Sequence, residues 1–236
     1  MILSLLTSGY SFDIILILLV AILVSATVSI VMHEIAHGFV ALKCGDPSAK
    51  NANRLTLNPL AHFDIVGIIL MLFFGFGWAK PVPINPDNFK KRTRGIVLVS
   101  IAGVVTNLLI FGLALLLLHL IYPALIALLT SKSAVRLLGY LFYYMLVYFI
   151  TFNLMLAFFN ILPIAPLDGF NFVNALLPYG NKYSVFMKKY GWYLLLGLIL
   201  ISNILNYVGL KQFNVFYQVQ QLAYKLIDLV TGGVFG

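Results

Sequence analysis

The stretch IILILLVAILVSATVSIVMHEIAHGFV, residues 14–40, decides how this chain is read. Its first part, Ile14 to Val31, is apolar apart from serine and threonine. The hydrocarbon core of a bilayer takes roughly 20 helical residues at 1.5 Å each. The run lies within a candidate span from about Phe12 to Leu42 and reads as a transmembrane helix. Its second part puts His33, Glu34 and His37 on that same helix. Glu34 is the only glutamate among 236 residues, and the chain has only seven acids in all. A carboxylate near the bilayer core costs roughly 2.5–3.5 kcal/mol even on insertion scales, so such a group marks function.

Composition extends this reading to the whole chain. It is 62% hydrophobic and 9% charged, whereas a soluble domain is about 45–50% apolar and about a quarter charged. A soluble enzyme, a disordered chain and a collagen-like chain are excluded. The formal charge of +8 would suggest nucleic acid in a soluble protein. Here it fits basic cytosolic loops and anionic lipid headgroups, and no nucleic-acid partner is expected. The lone Cys44 rules out an intramolecular disulfide framework and a Cys-rich metal site. Met1 to Ser11 carries no Lys or Arg, so it lacks the basic region of a signal peptide.

Along the chain, Lys43 to Pro59 reads as a loop. Ile65 to Trp78 is apolar but short and rich in glycine, as expected of a re-entrant or interfacial segment. Ala79 to Pro86, AKPVPINP, alternates prolines, which forbids a helix and favours an extended, edge-like strand. Gly95 to about Ile121 is a second span, Pro123 to Ser133 a short turn, and Arg136 to Phe159 a third span. Prolines 163 and 166 and Gly169 then interrupt the helix, and Phe170 to Leu177 resumes it briefly. Asn181 to Lys189 reads as a basic loop, Trp192 to Leu210 as an accessory fourth span (190–210), and 211–236 as an interfacial amphipathic tail. If the Ile65 segment is re-entrant, the basic clusters before and after it share the cytosolic side, as does Lys182–Lys189. The expected fold is all-α and polytopic: one membrane-embedded domain over 1–236 with its core at about 12–178. It has four full spans, a re-entrant segment, an extended strand region near the site, and both termini outside.

H-E-x-x-H on a helix places two imidazoles four residues apart on one face, where both can bind one Zn²⁺. The adjacent glutamate can act as general base on water. Catalytic zinc takes three protein ligands, so a third is needed. Asp13, Asp46, Asp64, Asp87 and Asp228 fall at boundaries, in loops or in the tail. His62 and His119 read as boundary histidines. Asp168 lies in an apolar stretch on the same side of the membrane as the histidine pair and is the best third ligand. Its alternative role is a cap on the short helix that follows.

Three motifs in order carry a resemblance: HEIAH (33–37), GVVTN (103–107) and NILPIAPLDG (160–169). Together they resemble the site-2 protease family of intramembrane zinc metalloproteases, over about Ile14 to Leu177. GWAKPVP (77–83) resembles the segment between the first two motifs in short members. The resemblance implies that His33, His37 and Asp168 hold one Zn²⁺ per chain and that Glu34 activates water. It implies that Asn160 steadies the scissile carbonyl or its oxyanion. Asn107 is either a supporting group near the site or a helix-helix contact beside Gly103. Asn153 and Asn171 are either partners supporting the site residues or interhelical hydrogen-bonding groups, and the second reading is favoured. Lys80, Pro81, Val82 and Pro83 are candidates for holding an unwound substrate by β-addition.

The implied substrate is a transmembrane protein cut near the cytosolic face of a prokaryotic cell membrane. The link at Pro123–Ser133 has no room for the PDZ domain that many members carry, so a separate regulatory or substrate-presenting partner is possible. The competing readings are a non-proteolytic zinc-binding scaffold and a metal transporter. A transporter would spread polar residues over several spans and show paired repeats.

Overall fold

A computed structural model describes residues 9–67, 70, 77, 79–131 and 135–233. Seven α-helices are used below: α1 Phe12–Cys44, α2 Ser48–Asn51, α3 Arg92–Leu129, α4 Val135–Ile161, α5 Asp168–Leu176, α6 Lys182–Tyr207 and α7 Val215–Thr231. Four of them, α1, α3, α4 and α6, are long and apolar enough to cross a membrane. This is the architecture of a multi-pass membrane protein. Among the described residues there is no strand, only an isolated antiparallel bridge between Phe63 and Ala79. The expected re-entrant segment, Ile65 to Trp78, falls largely outside the described residues.

Helices α1, α3 and α4 pack on one another and form the body of the molecule. In lipid, apolar area alone does not hold helices together; close packing and hydrogen bonds do. The facing surfaces here carry Ser25, Ser29, Ala102, Gly103, Asn107 and Asn153, all buried. The short helix α5 packs on α3 and the end of α4. A Cβ at Gly169 would lie 2.5 Å from the Leu162 carbonyl oxygen. Glycine is therefore what lets the chain turn back tightly enough to bring Asp168 under the bundle.

Four segments differ from the sequence reading. Pro123 does not begin a turn: α3 continues through it to Leu129. Proline removes one backbone donor, and a membrane helix tolerates that when neighbours pack around it. Here Tyr122 and Leu125 are buried in a cluster with Ala223 and Ile227 of α7. Asn181–Lys189 is not a loop, because α6 begins at Lys182. Asn181 caps it by accepting the Ser184 N–H at 2.8 Å, as Asn does well at this position.

The tail is also placed differently. α7 does not lie alone at an interface but packs along α4 and α3. Phe216 meets Phe158 and Phe159 near one end of α4, and the Val230 carbonyl accepts from His119 Nδ1 near the other end of α3. Finally, the expected strand at 79–86 forms no ladder, for reasons that belong to the site.

Candidate metal centre

The C-terminal half of α1 carries His33, Glu34 and His37. Positions four apart stack on one helix face, and the two rings meet edge to face at 4.6 Å between centroids. Both histidines are buried. Asp168 opens α5, which packs on α3 and the end of α4. Its carboxylate caps nothing there, so the alternative role considered for it is not the one the structure shows. Instead Oδ2 stands 3.2 Å from His33 Nε2 and 3.1 Å from His37 Nε2, and the two Nε2 atoms are 3.0 Å apart. Among the described residues these are the three side chains that converge as a metal-ligand group.

The donor set fits zinc. Bonds of roughly 2.0–2.1 Å in a tetrahedron put ligand atoms about 3.3 Å apart, close to the three separations here. The outward nitrogens make the same point. His33 Nδ1 is 2.5 Å from Asn107 Oδ1, and His37 Nδ1 is 2.8 Å from the Val99 carbonyl oxygen. Both oxygens accept, so both Nδ1 atoms donate, and each Nε2 presents a lone pair inward. Asp168 Oδ2 is buried and has no directed hydrogen bond despite its proximity to both rings. Three lone pairs facing one another repel unless a metal ion or a proton lies between them.

Glycine at 103 makes room for this arrangement. A Cβ there would lie 2.6 Å from both ring nitrogens of His33. The GVVTN motif thus serves the site twice, as space at Gly103 and as an acceptor at Asn107. The two readings of Asn107 hold together, because its amide also donates to Asn153 Oδ1 at 2.7 Å.

Glu34 lies beside the triad and accepts the Val82 N–H at 2.9 Å. That contact explains why 79–86 forms no ladder. The N–H of Lys80 goes to the His62 carbonyl and that of Val82 to Glu34, while the Lys80 carbonyl accepts from Arg54. Pro81 and Pro83 have no N–H to offer. Val82 is buried, whereas Lys80, Pro81 and Pro83 are exposed. Asn160 sits one residue before the end of α4, with its amide turned back to the Leu156 carbonyl at 3.0 Å.

Two contributors were not singled out in the sequence, Ser29 and Arg54, and a third, Asp46, stands there only as a loop acid set aside as a metal ligand. Asp46 is fully buried and accepts from the Ser48 N–H and hydroxyl, the Asn85 N–H and the Asn88 amide, at 2.6–3.1 Å. It ties the end of α1 to the segment that reaches Glu34. Burial by itself would raise its pKa. The hydrogen bonds from Ser48, Asn88 and Asn85 outweigh that and hold the carboxyl below its ordinary value. The signal available beforehand was D-P-S after Gly45, an acid followed two residues later by serine at a helix end.

No family model matches the chain, and no solved structure matches it. Among curated proteins, it is 39% identical over 188 residues to "Putative zinc metalloprotease YwhC" of Bacillus subtilis (strain 168), covering 79% of this chain and 83% of that one. With that identity over most of both chains, this protein belongs to the same family as YwhC, a relative named for zinc-dependent proteolysis.

Proposed function

We propose that this protein is an intramembrane zinc metalloprotease of the site-2 type, which hydrolyses peptide bonds in or near transmembrane segments of membrane proteins. The observation that carries the reading is the convergence of His33 Nε2, His37 Nε2 and Asp168 Oδ2 beside Glu34, inside a bundle of membrane-length helices. His33, His37 and Asp168 would hold a zinc ion, which would supply Lewis acidity for polarising the scissile carbonyl and acidifying water. Glu34 takes the proton from the attacking water, holds it, and delivers it to the leaving nitrogen. Asn160 donates to the developing oxyanion after its amide leaves the Leu156 carbonyl.

Lys80, Pro81 and Pro83 are exposed on either side of Val82, whose N–H meets Glu34. In an extended segment, alternate residues point their peptide groups to the same side. The side carrying the Lys80 and Val82 N–H groups is already spent on the protein. A substrate strand at this segment therefore meets carbonyl acceptors only, from Pro81 and Pro83, and supplies every N–H itself. The substrate is a transmembrane protein, the site lies near the cytosolic face, and the chain resides in a prokaryotic cell membrane.

The test uses purified wild type and Glu34→Gln with a helical membrane substrate, with bound zinc quantified in both. Wild type should cleave, and Glu34→Gln should retain zinc while losing cleavage by about 10²–10⁴-fold, the usual contribution of general acid–base catalysis. If neither cleaves, both retain zinc, and zinc crosses vesicles containing the protein, the transporter reading replaces this one.

A further inference from the structure

The two imidazoles are oriented by different means. His37 Nδ1 meets a backbone carbonyl, that of Val99, which can only accept. His33 Nδ1 meets a side-chain amide, Asn107, which presents an acceptor or a donor depending on which way it is turned. Something must therefore choose the orientation of Asn107.

The choice can be traced backwards through three helices. The Ser29 hydroxyl donates its one hydrogen to the Ser25 carbonyl, at 2.7 Å. Its oxygen can then only accept, and Asn153 Nδ2 lies 2.7 Å away. The same Nδ2 also donates to the Phe149 carbonyl at 2.8 Å. With both hydrogens placed, Asn153 must turn its oxygen to Asn107, which answers with Nδ2 at 2.7 Å. Asn107 then has only Oδ1 left for His33. Ser29, Asn107 and Asn153 are all fully buried, so water is not available to exchange partners within the chain.

We propose that Asn153 and Ser29 are positioning residues for the metal centre. The directed relay Ser29–Asn153–Asn107 holds a proton on His33 Nδ1 and thereby keeps the Nε2 lone pair turned toward Asp168. The relay begins at backbone carbonyls of α1 and α4, groups that cannot reverse. It carries that polarity across α3 to a ring on α1. Each member sits on a different helix from its side-chain partner, so the ring orientation also depends on the three helices being correctly packed. A helix-packing role alone would require Asn153 to fill space and make hydrogen bonds. The relay additionally requires an acceptor facing Asn107.

The proposal rests on the zinc reading for its consequence but not for its readout. In ¹⁵N-histidine NMR of the wild-type protein, with and without zinc, His33 Nδ1 should carry a proton in both samples, assigned by comparison with His33→Gln. Zinc affinity is measured by competition with a chelator in wild type, Asn153→Leu and Asn153→Asp. Asn153→Leu fills the space but offers no acceptor. It should weaken zinc binding by about tenfold, the low end for groups supporting a metal ligand, and broaden or lose the His33 Nδ1–H signal while His37 is unchanged. Asn153→Asp, neutral at this buried position, keeps a donor toward Ser29 or Phe149 and an acceptor toward Asn107, and should stay within about threefold of wild type, below that range.

The proposal is overturned if His33 Nδ1 is unprotonated in the wild type, or if the Leu and Asp variants bind zinc equally well. Should Asn153→Leu not fold, the wild-type spectrum decides the question. A wild type that takes up no zinc sinks the metal reading, and its Nδ1 signal still decides the relay.

Discussion

The inner bundle and the outer helix α6 are both made of apolar residues, yet they are held in different ways. Helices α1, α3 and α4 meet along their lengths, and their contacts include small residues and a buried chain of hydrogen bonds. α6 buries only Ser184, Gly191 and Leu195. It is fastened at points: the Tyr183 hydroxyl to the Pro163 carbonyl at 2.7 Å, Gly191 against Ala165, and Ser202 and Asn206 to Asn214 at the start of α7. The difference shows what lipid does to the usual logic of burial. A leucine gains little by leaving lipid for another helix, so fixed geometry comes from glycine, serine and asparagine. The chain spends those residues where imidazoles must be aimed.

This contrast can be broken or sharpened by substitution. The largest effect is expected at Asp168→Ala, which removes one of three donors and should abolish stoichiometric zinc, measured by metal analysis of the purified protein. Retention of full zinc and activity would mean that the third ligand lies elsewhere. Next is Gly103→Ala. The added methyl meets the His33 ring, so zinc affinity should fall by at least about tenfold, and overpacking should cost about 1–3 kcal/mol of stability; titration and thermal unfolding report the two.

Asp46→Asn should act through pH. A carboxyl whose folded pKa is depressed contributes stability above the unfolded value of about 3.9 and loses it as pH falls through the folded value. Wild type should therefore lose stability on acidification below about pH 4. Asp46→Asn should be less stable at neutral pH and lack that part of the acid loss. Unfolding curves from neutral to acid pH would show it, and curves that superimpose on wild type would mean that Asp46 does not stabilise the junction between α1 and the segment that reaches Glu34. The smallest effect is expected at Leu200→Ala on the exposed face of α6, within about 0.5 kcal/mol. A larger change would show that α6 is held along its length after all.

What was legible in the sequence follows the same division. The spans at α1, α3 and α4 could be read because long apolar runs have few alternatives. The triad could be read because acids are so scarce that Asp168 stood out. Pro123 misled because a local rule about proline was overridden by packing against α7, which no local pattern announces. The start of α6 was available in Asn181 but masked by the lysines that follow it. The tail's amphipathic pattern fits a bundle as well as an interface, and only the contacts with Phe158, Phe159 and His119 separate the two. The relay through Asn153 and Ser29 was the least legible part. Each residue was visible as a polar group in a span, but the direction of a hydrogen bond is a property of partners 46 and 124 residues away.

The placement of Asp168 has a consequence for biosynthesis. His33, Glu34 and His37 enter the membrane with the first helix, whereas the carboxylate follows α4, beyond residue 161. A nascent chain that has inserted α1 and α3 carries His33, Glu34 and His37 but cannot bring a carboxylate to the two imidazoles. The three side chains thus converge only when the third long helix is in place and the chain has turned back beneath it. On the proposed function, the half-made protein would until then sit among other membrane proteins without the means to cut them.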